Sequence, residues 1–205
     1  VQTCALPIYF SQYDLEENVL FRNKNTPESI MEIQHLYVQG GLHYTSNLAC
    51  ICTPSRKKVN GVALFDGVEI PELGDQGTIW TSARPNVFFC QGLQTKMGKD
   101  KRKSLNMAWE YDGHPFSNVN TRPWMGPKFW CPNMQSSYDG NNYKILRYAD
   151  AILMMAECYN ELGDDAKSVE YLNKTRNRAG LADYVYRTSA RLQDERSEER
   201  RVGKE

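Results

Sequence analysis

The sequence lacks a hydrophobic run long enough to cross a membrane. Its best-patterned segment, RYADAILMMAECYNELG at residues 147–163, holds only six apolar residues in succession, whereas a spanning helix needs about 20. The chain also lacks an excess of either charge, since 25 basic residues balance 25 acidic ones. Because nucleic-acid binding needs a basic face, this balance gives no reason to expect a nucleic-acid partner.

The usual signatures of catalytic and metal sites are missing too. None of the six cysteines forms a Cys-x-x-Cys pair, and Cys50-Ile-Cys52 alone is a weak metal signal. No nucleophile elbow, phosphate loop or metal-binding helix occurs, and His35, His43 and His114 lie in separate contexts. We therefore expect no catalytic residues, no metal ligands and no cofactor, and we expect His35 to be a structural or surface residue.

The two ends differ in character from the rest of the chain. The chain begins without Met and without a visible signal peptide. Its first eight residues, VQTCALPI, and its last ten, RSEERRVGKE, resemble conceptual translations of sequencing-adapter DNA. We expect residues 1–8 and 196–205 to be artefacts of that kind and residues 9–195 to be native. The alternative for the last ten residues is a charged helical tail.

Residues 9–142 predict a loop-rich region. The pattern favours a short helix over 9–22 and a strand over 28–38, and turn formers then recur from 39 to 142 with little regular structure. Residues 84–94 predict one or two helical turns. The basic run KMGKDKRK at 96–103 is read as a solvated loop rather than a functional patch.

Aromatic residues concentrate in this loop-rich region. It contains all four tryptophans, Trp80, Trp109, Trp124 and Trp130, together with Tyr111. Loops that carry aromatic side chains on a rigid scaffold often bind ligands, which makes these residues candidates for a binding surface. The alternative for each tryptophan is a place in the core, because the indole buries a large apolar area.

Residues 143–181 predict a helical hairpin. Apolar residues recur at helical spacing from 143 to 162, Gly163 ends that helix, and Asp164 or Asp165 caps a second helix over 166–179. The apolar face comprises Leu146, Ala149, Ile152, Leu153, Ala156 and Tyr159. Two helices of about four turns with a short joint resemble a tetratricopeptide unit.

The amino-acid sequence of the hairpin resembles one family specifically. NYKILRYADAILMMAECYNELGDDAKSVEYLNKTRNRAGL resembles the C-terminal signature of the SusD/RagB family, the surface glycan-binding lipoproteins of Bacteroidetes, at Arg147–Asp150, Leu153–Cys158 and Asn173–Leu181. Cys158 replaces the last Ala of the middle element, and we expect it to be a small core residue. Upstream, ESIMEIQ, IWTSARPNVFF and KDKRK are similar to further elements of the family. Its lipid-bearing cysteine, earlier repeats and later Glu-Arg-rich helix are missing, so we expect an internal fragment.

The charged residues of the hairpin can be explained by a structural role. Arg147, Glu157, Arg176 and Arg178 recur as part of the packing signature. We therefore expect them to form structural ion pairs or caps rather than to bind a ligand.

The resemblance implies a mainly α fold of tetratricopeptide-like hairpins with long loop-rich excursions, incomplete in this chain. It implies a protein that is not an enzyme, a lipoprotein at the surface of the outer membrane. Such a protein captures an oligosaccharide and delivers it to a SusC-like TonB-dependent transporter. A pyranose has an apolar face that stacks on aromatic rings, so Trp109, Tyr111, Trp124 and Trp130, ahead of Trp80, become glycan-binding candidates. The alternatives are a tetratricopeptide-type scaffold for a protein partner and a glycoside hydrolase.

Overall fold

The computed structural model describes residues 13–38, 40, 44–74, 79–88, 90, 98–120, 122–134, 136–186, 193, 196, 197 and 199. The chain forms two compact units. The hairpin unit comprises Val1–Asn18, Asn25–Met31 and Leu146–Glu205, and the loop unit comprises Val19–Lys24 and Glu32–Ile145. Of the predicted helix over 9–22, the part before Tyr13 lies outside the described residues, as do His43 and the beginning of the basic run.

The described residues hold more strand than the sequence predicts. The α-helices are α1 (Leu15–Val19), α2 (Leu48–Cys52), α3 (Arg102–Asn106), α4 (Tyr148–Glu161) and α5 (Asp165–Arg178). The strands are β1 (Ser29–Ile33), β2 (Arg56–Val59), β3 (Val62–Phe65), β4 (Val68–Glu69), β5 (Met107–Ala108), β6 (Glu110–Tyr111), β7 (His114–Pro115), β8 (Trp124–Met125) and β9 (Tyr143–Arg147). Single 3₁₀ turns occur at Pro71–Leu73 and Pro127–Phe129. Seven of the strands, β2 to β8, fall in the stretch that the sequence analysis assigned to loops.

Two-residue turns explain why the loop unit contains so much strand. Strands β2, β3 and β4 form an antiparallel sheet, and β6 pairs with β7. The connecting pairs Asn60-Gly61, Asp66-Gly67 and Asp112-Gly113 all have positive φ. Positive φ at both positions is typical of the turn whose twist matches an antiparallel hairpin, and Asn-Gly and Asp-Gly are its preferred sequences.

The core of the loop unit lies between these short strands. Its fully buried members include Phe65, Ile70 and Trp130, with Trp124 beside them. Strand β5 pairs with β8 so that Ala108 lies opposite Trp124. Burial of these large side chains supplies the main stabilisation of the unit, about 1.5–3 kcal/mol for each side chain of the Ile or Phe class.

The predicted start of the first long helix is wrong by five residues. Residues 143–147 form β9, which pairs with β1, and α4 begins only at Tyr148. Side chains of β9 alternate, with Lys144 buried between exposed Tyr143 and Ile145, which is the period of a strand. The strand predicted over 28–38 is confirmed at Ser29–Ile33.

The hairpin unit is built on α4 and α5, as the sequence predicts. Gly163 has φ of 79° at the end of α4, and the side chain of Asp164 accepts from Lys167 N at 3.1 Å as the cap of α5. The helices meet through buried Leu153, Ala156 and Leu172. They are also joined by a hydrogen bond from Ser168 Oγ to Ala156 O at 2.6 Å, at a position where a small residue lets the backbones approach.

Cys158 does not lie in the core. It is exposed, although the sequence analysis expected a small core residue. Ala156 and Asn160 are buried, and a residue two positions from either lies on the opposite side of a helix with 3.6 residues per turn. No helix among the described residues is long and apolar enough to cross a membrane.

A buried carboxylate ties the hairpin unit together. Glu28 is completely buried, and its oxygens accept from Arg147 Nη1 at 2.9 Å and Arg178 Nη1 at 2.5 Å. Its side chain also accepts from Ala149 N at 3.2 Å, and its carbonyl oxygen accepts from Tyr148 N at 2.8 Å. The expectation that Arg147 and Arg178 serve as structural ion pairs is confirmed by this geometry.

The far end of the chain contributes two buried contacts to the same unit. Arg196 Nη2 donates to Asn160 Oδ1 at 2.8 Å, and Glu199 pairs with Arg176 at 3.1 Å. Both residues belong to the last ten, which the sequence analysis compared with translated adapter DNA. Arg196 and Glu199 therefore each make a contact with the hairpin. The domain boundaries drawn from the sequence stay predictions.

Candidate functional site

Two of the five aromatic candidates lie inside the core of the loop unit. Trp130 is completely buried and Trp124 is 5% exposed. The indole nitrogen of Trp130 donates to Met125 O at 3.0 Å, and that of Trp124 donates to Asp66 Oδ2 at 2.8 Å. Both rings therefore have their apolar area covered and their polar atom bonded, which is the arrangement of a packing tryptophan.

Asp66 and Arg84 complete the surroundings of Trp124. The Asp66 carboxylate also accepts from the backbone and the side chain of Asn118. The guanidinium of Arg84 lies 3.8 Å from the centroid of the Trp124 ring and donates to the carbonyl oxygen of Asn118 at 2.6 Å. Burial and the neighbouring cation Arg122 lower the pKa of Arg84. These polar contacts hold Trp124 in one orientation.

The other three candidates reach the surface to different degrees. Trp80 is 52% exposed and is attached to the unit by its backbone N–H, which donates to Cys50 O at 3.1 Å. Trp109 is partly buried, with Lys103 Nζ 5.4 Å from its ring centroid. Tyr111 packs at the margin of the core with its ring 6.2 Å from that of Trp130, and burial raises its pKa. The structure thus joins Tyr111, Trp124 and Trp130 in one core, which does not include Trp80 or Trp109.

A pocket of about 450 Å³ opens elsewhere in the loop unit. None of the five aromatic candidates lines it. Its wall comes from four stretches of the chain, residues 22–24, 36–37, 131–134 and 138–141. A volume of this size is within the range of about 300–1,000 Å³ typical of small-molecule sites.

Buried polar residues position the pocket wall. Asn142 is fully buried, and its side chain accepts from His35 N at 2.9 Å and donates to Glu32 Oε2 at 2.7 Å. Nδ1 of His35 lies 2.9 Å from the carbonyl oxygen of Asn141. Because a carbonyl oxygen only accepts, the imidazole must carry a proton on Nδ1. His35 is therefore a structural residue, as expected, and it holds two stretches of the wall together.

Two tyrosines give the pocket an aromatic lining. Tyr138 is 45% exposed and Tyr37 is partly buried. Gly140 leaves room beside Tyr37, since a Cβ at this position would lie 3.1 Å from Tyr37 N and 3.6 Å from Lys24 Nζ. A phenol ring offers a flat apolar face with a polar tip, which suits a ligand that is apolar on one face and hydroxylated around its edge.

Asp139 is the one carboxylate among the described residues that line the pocket. It is 1% exposed, and its two oxygens accept from Ala49 N at 3.1 Å and Asn141 N at 3.0 Å. Burial raises its pKa, an effect opposed by these two hydrogen bonds and by the positive charges of His35 and Lys24. Its hydrogen bonds turn this carboxylate towards the backbone.

The cations of the pocket are Arg22 and Lys24. Arg22 Nη1 lies 3.4 Å from Glu72 Oε2, and this buried atom makes no hydrogen bond with the described residues. Lys24 is exposed and donates from Nζ to His35 O at 2.8 Å. Cys131 completes this side, and burial raises the pKa of its thiol to about 11. A thiol with that pKa is no nucleophile near neutral pH.

The sequence did not predict this pocket. Tyr37 and Tyr138 are far apart in the chain, and neither belongs to a recognisable motif. The stretch SSYDGNN, residues 136–142, is a turn signal that contains an aromatic residue, and in this it is no different from the loops that carry the tryptophan candidates. The pairing of β1 with β9 and the contacts of His35 with Asn141 and Asn142 bring the two ends of the wall near each other.

Known proteins resemble this chain in sequence. A family model described as SusD family matches residues 72–202, more than half of the chain. The SusD-like protein P25 of Formosa agariphila is 37% identical over 83 residues, which are 39% of this chain and 15% of that protein. The chain therefore spans a small part of this relative.

Solved structures agree in fold. The surface glycan-binding protein A of Bacteroides uniformis is 23% identical with a TM-score of 0.60, over 91% of this chain and 39% of that one. The surface glycan-binding protein A of Bacteroides thetaiotaomicron in complex with laminarihexaose is 17% identical with a TM-score of 0.61, over 93% of this chain and 43% of that one. Sequence signature, family match and fold lead to one conclusion: the chain belongs to the SusD family.

Proposed function

We propose that the protein captures an oligosaccharide at the cell surface and that the pocket of the loop unit is its glycan-binding site. Family membership and the glycan-binding neighbours support the class of ligand. The observation that carries the proposal is the pocket itself, which combines two tyrosine rings with amide and cationic donors. Protein sites for sugars need both, since a pyranose presents a C–H face and a rim of hydroxyl groups.

The exposed aromatic candidates extend this proposal. Trp80, Trp109 and Tyr111 keep some area accessible to a longer glycan, and we assign them to additional contacts along the chain of sugars. Trp124 and Trp130 take a different role. Their burial makes them the support of the loop unit, and a glycan reaches neither ring without unpacking the core.

Delivery to a SusC-like TonB-dependent transporter is the second step of the proposed function. It rests on family membership alone, as do the outer-membrane location and the lipid anchor. The hairpin unit supplies the rigid frame in this scheme, because α4 and α5 pack through a continuous buried seam.

The site favours binding over hydrolysis. A glycoside hydrolase needs two carboxyl groups on either side of the scissile bond, about 5–9.5 Å apart. Among the described lining residues Asp139 is the only carboxylate, and backbone N–H groups occupy its oxygens. We therefore propose a binding protein rather than an enzyme.

The test is affinity electrophoresis of the 205-residue chain through gels that contain different polysaccharides. We expect retardation by at least one glycan. Tyr138→Ala should weaken it up to about tenfold, since an aromatic contact contributes about 0.5–1.5 kcal/mol beyond its buried area. Tyr186→Ala is the matched control, because Tyr186 is 43% exposed, close to the 45% of Tyr138, and lies outside the pocket.

A second pair of variants separates the aromatic roles. Trp109→Ala should weaken retardation by a long glycan while the protein keeps its stability. Trp124→Ala should instead destabilise the loop unit by about 3–5 kcal/mol, the usual cost of emptying a buried aromatic site. Folded protein that no glycan retards would contradict the proposed function and would favour a protein partner for the hairpin.

A further inference from the structure

We propose that the pocket selects a saccharide that carries an anionic substituent, a carboxylate or a sulfate ester, and that Arg22 and Lys24 bind this group. The inference rests on the proposed glycan function and goes further by naming the class of sugar. It starts from the donors in the wall. Both cations lie on one short stretch of chain, beside the tyrosines that would stack on the sugar ring.

Arg22 supplies a donor that the described residues leave unused. Its Nη1 is buried and makes no hydrogen bond, and Glu72 at 3.4 Å faces it without completing one. Buried polar atoms without a partner are rare in folded proteins, and each requires a physical reason. The Arg22 side chain is 24% exposed and lines the pocket, so a small rotation of its guanidinium would present this donor to a ligand oxygen. The guanidinium favours an anionic oxygen, because a hydrogen bond between two charged groups is stronger than a neutral one.

Lys24 supplies further donors to the same space. Its ammonium has three N–H groups, and its hydrogen bond to His35 O engages one of them. That bond fixes the position of Nζ, which lies 3.6 Å from where a Cβ on Gly140 would be. Since Gly140 lines the pocket, the ammonium stands at its wall with donors to spare.

The acidic residue of the wall does not oppose an anion strongly. Asp139 is almost fully buried, and its oxygens accept backbone N–H groups rather than facing outward. Glu72 is not among the described lining residues, so Asp139 is the one carboxylate beside the cations Arg22 and Lys24 in the wall.

The experiment compares one oligosaccharide with its neutral twin. The chain is tethered at low density on a sensor, and oligogalacturonide and the same oligogalacturonide after carboxyl reduction are passed over it. We expect the acidic form to bind at least about tenfold more tightly, because a charged hydrogen bond exceeds a neutral one by roughly that much. A sulfated galactan oligosaccharide forms the second anionic arm, and laminarihexaose is a further neutral probe.

Variants assign the effect to the pocket. Lys24→Gln should remove most of the preference for the anionic ligand over its neutral twin. Lys57→Gln, an exposed lysine on β2 outside the pocket, should change neither. Arg22→Gln should also reduce the preference for the anionic ligand. This result counts only if the melting curve of the variant matches that of the unaltered chain. Preference for the anionic form should also shrink with added salt, since salt screens exposed charges.

The outcomes divide cleanly. Binding of either anionic probe, with loss in Lys24→Gln, supports the inference, and the arm that binds identifies carboxylate or sulfate as the group. Equal binding of the acidic and reduced forms, or an unchanged preference in Lys24→Gln, overturns the inference while the glycan function stands. Binding of no saccharide by folded protein overturns both.

Discussion

The cysteines show how strongly the surroundings of a single residue decide its chemistry. Cys50, Cys52 and Cys90 are buried, Cys131 is half-buried, and Cys158 is exposed. Burial raises the pKa of Cys131 to about 11 and that of Cys52 to about 12. Because the thiolate is the reactive form, the buried thiols should react slowly with alkylating reagents.

We predict that iodoacetamide at pH 8 modifies Cys158 long before Cys131. Only about a thousandth of a thiol with a pKa near 11 is ionised at that pH, and its labelling rate should rise roughly tenfold for each further pH unit. Peptide mapping over time measures both rates and separates them from Cys4, which lies outside the described residues. Cys158→Ser should abolish only the fast reaction. Labelling of Cys131 as fast as Cys158 would show that this side of the pocket is open.

The fate of the tryptophans shows where prediction from sequence ends at this scale. The polar neighbours of Trp124 suggested an exposed loop, yet its indole N–H bonds to Asp66, 58 positions away. A local pattern carries no information about so distant a partner. The role of His35 was predictable, because an isolated histidine without a second ligand residue nearby is usually structural.

At the scale of helices and strands, the sequence predicts long elements well and short ones poorly. Helices α4 and α5 have a sustained period, a glycine stop and an acidic cap, and they occur as predicted apart from the first five residues. Strands of two residues, such as β5 and β8, have no period to detect. The hairpins of β2–β4 were detectable, since Asn60-Gly61 and Asp66-Gly67 are strong turn signals between apolar runs.

The carboxylate of Glu28 provides the sharpest test of how the elements are held. We predict that Glu28→Gln destabilises the protein by about 3–5 kcal/mol, because it leaves Arg147 and Arg178 buried without their counter-charge. Urea unfolding followed by circular dichroism measures the loss.

An exposed pair on the same unit is the control for that prediction. Glu170→Gln removes the partner of Lys174 one turn away on α5, where both side chains remain partly exposed. Such a surface pair is worth about 0.3–0.5 kcal/mol, so this change should be close to neutral. If the two variants cost the same, the buried network is not what secures β1 to the helices.

At the scale of the whole molecule, exposed apolar side chains concentrate in one part of the chain. Ile30, Met31 and Ile33 on β1 are exposed, and so are Leu36 and, farther on, Tyr44. Strand β1 has β9 as its one neighbour in the described sheet, so its other edge is unpaired there. Edges of this kind, flanked by apolar side chains, promote association.

We predict that the 205-residue chain self-associates at micromolar concentration and binds the dye ANS. Replacing both Met31 and Ile33 by lysine should reduce dye fluorescence and shift the sedimentation profile towards monomer. Val185→Lys changes an exposed apolar residue elsewhere and should have little effect. A chain that sediments as a monomer without binding dye would refute the prediction.

The pocket could not have been predicted at this scale. Its wall joins residues 22–24 and 36–37 to residues 131–141, and that meeting depends on β1 lying against β9. The family, by contrast, was predictable from the hairpin alone, because a signature of about forty residues keeps its order whatever the loops do. The sequence therefore predicted the family and the helical hairpin, and the structure was needed to find the pocket that we propose as the site.

The Glu28 network also sets an order of events during synthesis. Its two arginine partners follow it by 119 and 150 positions. At ribosomal rates of about 5–20 residues per second, Arg178 emerges on the order of 10 s after Glu28. Until then the Glu28 carboxylate lacks a counter-charge that would offset the cost of its burial, so β1 does not pack against the hairpin. A nascent chain that stalls before Arg178 should thus stay accessible to chaperones and proteases. This unit can fold only after synthesis has passed Arg178.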